Sequence, residues 1–135
     1  MGWRRPKSVW KRGEDAAARY MRKNGHRILA RNLTLGMGEI DLLCQDKRTR
    51  AIVIVEVKAR AYHTGSTRDI DPIASITAKK RSKLRLLARA IKKQPRYALY
   101  PIRIDAIAVR FDDEPGGPHR RNMKLTHYPS CIGAD

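Results

Sequence analysis

The spacing of hydrophobic and polar positions changes along the chain, and each change marks an element. Over residues 13–24, Ala16, Ala17, Tyr20 and Met21 recur at helical spacing, and Gly25 supplies a stop. Residues 26–32 predict a strand with Ile28 and Leu29 at its core, and 34–38 a glycine-containing turn. Two arms follow, 38–44 and 52–58, both rich in strand formers and separated by the charged stretch 46–50. So short a connector predicts an antiparallel hairpin. Over 73–93, Ile76, Leu84, Leu87, Ala88 and Ile91 share a face, which predicts a second, longer helix closed near Pro95. Residues 100–111 alternate as a strand, with Ile102, Ile104, Ala106 and Ala108 on one face and Arg103 and Asp105 on the other. Residues 59–72 and 112–121 read as loops, and 123–128 as a short edge strand. The order predicts an α/β (α+β) domain in which helices cover a mixed sheet.

The hairpin breaks the usual placement of charge. Side chains two apart on a strand share a face, so Glu56 and Lys58 continue the face of Ile52 and Ile54, while Glu39 and Asp41 share a face with Leu43. The second arm is otherwise almost wholly apolar, as in a strand buried on both sides. If Asp46 pairs with Ala51, Asp41 lies opposite Glu56 and the two carboxylates meet, with Lys58 beside Glu39. Such a pair repels unless something offsets it, and a hard divalent cation does so. A cation held by Asp41 and Glu56 activates water and stabilises charge on a phosphate, and the Lys58 ammonium is placed to assist. The plainer reading makes Glu56 and Lys58 solvated surface residues.

Charge widens the picture. The 135 residues suffice for one domain with a real core. Thirty Lys and Arg against 13 Asp and Glu give a net charge of +17 and a pI near 10.7, which points to a polyanion, most simply nucleic acid. An anionic membrane surface is the rival partner, although no stretch is long and apolar enough to span a bilayer. Cys44 and Cys131 make no metal-ligand spacing, the four histidines are scattered, and Cys44 reads as a buried thiol. No apolar segment follows the basic start, so a cytoplasmic location is expected. Residues 1–12 read as a basic flexible arm, 13–111 as the domain and 112–135 as a loop and C-terminal extension. Lys80 falls within the apolar arc of the second helix and must snorkel or find a partner, whereas Lys79 and Lys83 lie outside it. Arg60, His63, Thr64, Ser66 and Arg68 follow the hairpin directly and suit phosphate contacts. Arg103 beside Asp105 reads as a structural ion pair. Glu14, taken as part of a first helical turn, is explained by the helix dipole alone.

An acidic residue on one strand followed by E-x-K on the next resembles the PD-(D/E)xK nuclease core. The stretches 38–43 (GEIDLL) and 55–60 (VEVKAR) are more closely similar to the YraN-like family of bacterial proteins, related to archaeal Holliday-junction resolvases. The likeness extends through Gly13-Glu14, residues 28–32, Lys80 and residues 103–105, and covers roughly 13–111. Ile40 stands where the acidic motif often carries proline. The resemblance implies a restriction-endonuclease-like fold, Mg²⁺ or Mn²⁺ held by Asp41 and Glu56 with the Val57 carbonyl, and a supporting acid on the first helix, Glu14 or its neighbour Asp15. It also implies a homodimer.

Two functions follow. One is a metal-dependent endonuclease acting on DNA, including branched or structured DNA, with Glu14, Asp41, Glu56 and Lys58 as catalytic residues. Arg60, Arg68, Lys79, Lys80 and Lys83 would then bind the nucleic acid. The other is a nucleic-acid-binding protein of the same fold without turnover. A peripheral membrane or ribosome-associated role is a weaker third.

Overall fold

The computed structural model describes residues 8–63, 75–113 and 123–133. Helix α1 (Val9–Lys23) begins earlier than its apolar stripe suggests. The Ser8 hydroxyl caps it, accepting from the Lys11 N–H at 3.1 Å. Four residues assigned by composition to the basic arm are therefore helical. Glu14 lies beyond the first turn, which holds no acidic residue, so the dipole does not account for it. Gly25, at φ 79°, turns the chain into β1 (His26–Leu35).

β2 (Gly38–Asp46) and β3 (Ile52–His63) form the hairpin. The Asp46 N–H donates to the Ala51 carbonyl at 2.9 Å, and the register runs from Gln45↔Ile52 to Leu42↔Val55. β3 continues through residue 63, into the region expected to be loop. Helix α2 (Ala78–Lys92) starts at an N-cap, Thr77, which is later than predicted. It carries the chain over to β4 (Ile102–Asp113), which pairs with β3 in parallel along twelve residues, from Ile52↔Ile102 to His63↔Asp113. β5 (Met123–Ile132) is antiparallel to β4 and longer than the expected edge strand. Among the described residues the strands make one mixed sheet in the order β1-β2-β3-β4-β5.

Alternation along β3 builds two cores. Val53, Val55, Val57 and Ala59 pack with Leu42, Cys44 and Ile107 against Ala16, Ala17 and Met21 of α1. Ile52 and Ile54 pack with Leu43 and Ile104 against Leu84, Leu87 and Ile91 of α2. The helices thus cover opposite faces of an α+β sandwich, and β3 is buried on both sides. α1 lies close on the sheet at Gly13, where an added Cβ would fall 2.4 Å from the Ala59 Cβ. Cys44 is a buried free thiol, pushed up to about 12 by burial first and then by the Asp105 carboxylate. No helix among the described residues is long and apolar enough to cross a membrane.

Candidate active site

The ladders leave a fork in the sheet. β2 and β3 stay paired as far as Leu42↔Val55, yet β3 runs on beside β4 to residue 63. Asp41 follows the last pair on one arm and Glu56 on the other, both at the mouth of this fork. The Asp41 side chain takes over where the β2 backbone leaves: its Oδ2 accepts the Val57 N–H at 2.8 Å. Both acids are buried, Asp41 to 7% exposure and Glu56 to 5%. Burial, and then the nearby Glu56 carboxylate, push the Asp41 carboxyl up to about 7, against the pull of the Val57 N–H and the Lys80 ammonium.

Lys80 closes the group from α2. Its Nζ lies 3.4 Å from Glu56 Oε2. Thr77 fixes the start of that helix, its hydroxyl accepting the Lys80 N–H at 3.1 Å. One turn on, the Lys83 stem crosses the beginning of β2, since a Cβ at Gly38 would lie 3.3 Å from Lys83 Cε. Lys58 is half-buried, and Lys79, Lys83 and Arg60 are exposed. Arg60 turns one guanidinium N–H back to the Ala59 carbonyl at 3.1 Å. Thr64, Ser66 and Arg68 lie outside the described residues, as does the side chain of His63.

Glu14 has different neighbours. It is fully buried, and its Oε1 accepts from Arg31 Nε and Asn32 Nδ2, both at 2.9 Å. Its Oε2 is buried without a hydrogen-bond partner. Arg31 also bonds Asp15 through its second nitrogen. Among the described residues no three His, Cys, Asp or Glu side chains converge closely enough to hold a metal by themselves. The connection between Glu14 and the fork is by register. Asn32 falls between the pairs Arg31↔Leu42 and Leu33↔Ile40, which sets it opposite Asp41 in the next strand. Arg31 and Asn32 are the neighbours of Glu14 that pattern alone did not assign. Their placement depends on an irregularity in β1 between Ile28 and Ala30 and on a positive φ, 50°, at Asn32. An asparagine among strand formers is the one trace of this in the sequence.

A separate buried network ties β4 to its neighbours. Arg103 Nε lies 3.0 Å from Asp105 Oδ1, an ion pair within β4. Asp105 also accepts from His127 Nε2 at 2.7 Å and from the Ser130 N–H at 2.9 Å.

The family model for Uncharacterised protein family UPF0102 matches residues 13–109. The chain belongs to this family. It is the YraN-like family whose motifs the hairpin resembles, and the UPF0102 match spans every candidate site residue from Glu14 to Lys83. A UPF0102 protein of Pelotomaculum thermopropionicum is 44% identical over 126 residues, 93% of this chain and 96% of its own length. Another, from Rhodopirellula baltica, is 33% identical over 92% of this chain and 70% of its own. Among solved structures, an EndoMS–dsDNA2 complex superposes with a TM-score of 0.43 at 16% identity. That likeness covers 77% of this chain but only 38% of the other, and it does not define the UPF0102 fold.

Proposed function

We propose that this protein is a metal-dependent endonuclease that hydrolyses nucleic-acid phosphodiesters, with DNA, including branched or structured DNA, as its substrate. The observation that carries the reading is the meeting of Asp41 and Glu56 in the fork. Two buried carboxylates that repel each other between β2 and β3 call for a cation, and one of them is already close to holding a proton at neutral pH.

The donor set fits Mg²⁺ or Mn²⁺. One oxygen of each acid is engaged, by the Val57 N–H and by Lys80, and neither acid contributes a buried oxygen without a partner. The second oxygen of each acid would be the one offered to a ligand. Asp41, Glu56 and the Val57 carbonyl would hold the ion, which fills its remaining positions with water. Bound there, it supplies a water of lowered pKa and offsets charge on the phosphate. Lys58 orients the attacking water from the same strand, and Glu14 would act on the site only indirectly, through Asn32 opposite Asp41. Lys79, Lys83, Arg60 and Arg68 bind the phosphate backbone, consistent with the net charge of +17. A cytoplasmic location suits this role.

A nucleic-acid-binding role without turnover is the second reading. It is favoured by Lys80, which already neutralises Glu56. A cleavage panel of duplex, single-stranded, flap and four-way DNA with Mn²⁺ separates the two. Cleavage of at least one substrate is expected, abolished by Asp41→Asn while binding persists. Binding without cleavage of any substrate would establish the second reading.

A further inference from the structure

Lys80 stands where helix physics does not favour a lysine. It lies in the first turn of α2, against the positive end of the helix dipole, and no acidic residue in that turn offsets it. Its partner comes from the sheet instead. The Lys80 ammonium reaches Glu56 at 3.4 Å; the lysine side chain is 32% exposed and the glutamate 6%. The helix start is fixed by the Thr77 cap, so the reach is built into the way α2 begins. Lys79, the next residue back, is exposed and makes no such contact.

We propose that Lys80 is a resident counter-ion of the Asp41–Glu56 pair, which a divalent cation must displace from Glu56 in order to bind. The inference rests on the metal reading above and deepens it. One positive charge offsets the two acids in the metal-free fork and keeps the pair from being left unneutralised under the sheet. A divalent cation competes for the same Glu56 carboxylate and is repelled by the ammonium beside it. Lys80 therefore sets the affinity of the site for metal. Once displaced, its ammonium remains at the mouth of the fork, tethered by α2, where it can pair with a phosphate oxygen.

The test is calorimetric titration of Mn²⁺ into the full chain without nucleic acid, at pH 8.5 so that protons compete little. Lys80→Met keeps the apolar stem and removes the charge. It should tighten Mn²⁺ binding by about fivefold, the strength of a partly exposed ion pair. Lys80→Arg, which keeps a cation, and Lys79→Met, which alters an exposed neighbour, should both stay near wild type. Thermal melts confirm that all three variants are folded. Wild-type binding with unchanged or weaker affinity in Lys80→Met overturns the counter-ion role and leaves the metal reading standing. Absence of Mn²⁺ binding in both wild type and Lys80→Met overturns the metal reading, and the counter-ion role with it. Binding seen only in Lys80→Met supports both.

Discussion

Replacing Asp41 by Asn should stabilise the metal-free protein, but only on the alkaline side of neutrality. Burial and Glu56 move the Asp41 carboxyl from an ordinary value of 3.8 to about 7 in the folded state. A raised pKa means that the folded chain binds this proton more tightly than the unfolded chain does. Stability therefore falls as pH rises from about 4 to about 7, and stays at the lower level above that. The full displacement corresponds to about 4 kcal/mol. Asn recovers only part of it. Its carboxamide oxygen can still accept the Val57 N–H, now at 2.8 Å, but its own N–H₂ enters the fork beside Lys80 and must find an acceptor. The expected gain is about 1–2 kcal/mol at pH 8.5, or about 3–7 °C in melting temperature for a domain of this size. Near pH 5 the wild-type carboxyl is already neutral in the folded chain, and the gain should reverse to a loss of about 1 kcal/mol. Urea denaturation with EDTA at the two pH values measures both numbers. A gain of equal size at pH 5 and 8.5, or none at pH 8.5, would refute the crowding of Asp41 against Glu56.

Two further outcomes test the scaffold around the site. Gly13→Ala should destabilise by about 1–2 kcal/mol, although the same change inside a helix ordinarily stabilises by about 1 kcal/mol, because the new Cβ would sit 2.4 Å from the Ala59 Cβ and α1 must lift. Chemical denaturation gives the sign, and adding Ala59→Gly should recover part of the loss. Asp105→Asn should cost about 3 kcal/mol at pH 7. Burial alone would raise the Asp105 carboxyl, but donors from His127, Arg103 and Ser130 outweigh it and hold the group below its ordinary value. Its contribution is therefore present above an unfolded-state value near 4 and is lost as pH falls through the folded value, so wild type should lose more stability than the variant between pH 5 and pH 3.

Local chemistry made the hairpin legible. Alternation in both arms and a short charged connector define its closure, and the observed bond from the Asp46 N–H to the Ala51 carbonyl is the closure that brings Asp41 to Glu56. The odd phase of Lys80 within an apolar arc was likewise visible, and its side chain does reach the hairpin. What stayed hidden depends on partners distant in sequence. Residues 59–63 look like loop because their pairing is with β4, some fifty positions on. The full length of β5 escapes because Ser130, at φ 50°, sits in an irregular stretch where Asp105 takes its N–H. α1 extends back to Val9 through a basic stretch that composition assigns to an arm, and only the cap at Ser8 marks its true start. Glu14 was singled out, but its hold on Arg31 and Asn32 requires a slip in β1 that no periodicity announces.

The fork explains why an acid stands at position 41, and also what that explanation leaves over. Where β3 leaves β2, the Val57 N–H loses its backbone partner inside a buried strand, and a buried donor left unpaired costs about 1–3 kcal/mol. A side-chain oxygen one residue beyond the last ladder pair is the nearest replacement, and Asp41 provides it. Asn would provide one as well, since the bond needs an acceptor and not a charge. The hydrogen bond therefore accounts for an oxygen at position 41 but not for a carboxylate. A carboxylate adds repulsion from Glu56 and the cost of its own burial, both of which lower the stability of the metal-free fold. Lys80 offsets that cost only in part, since the Asp41 carboxyl remains raised with the ammonium in place. The carboxylate at position 41 is thus a cost to the fold alone, and the proposed divalent cation with its water shell would offset it without opening the sheet.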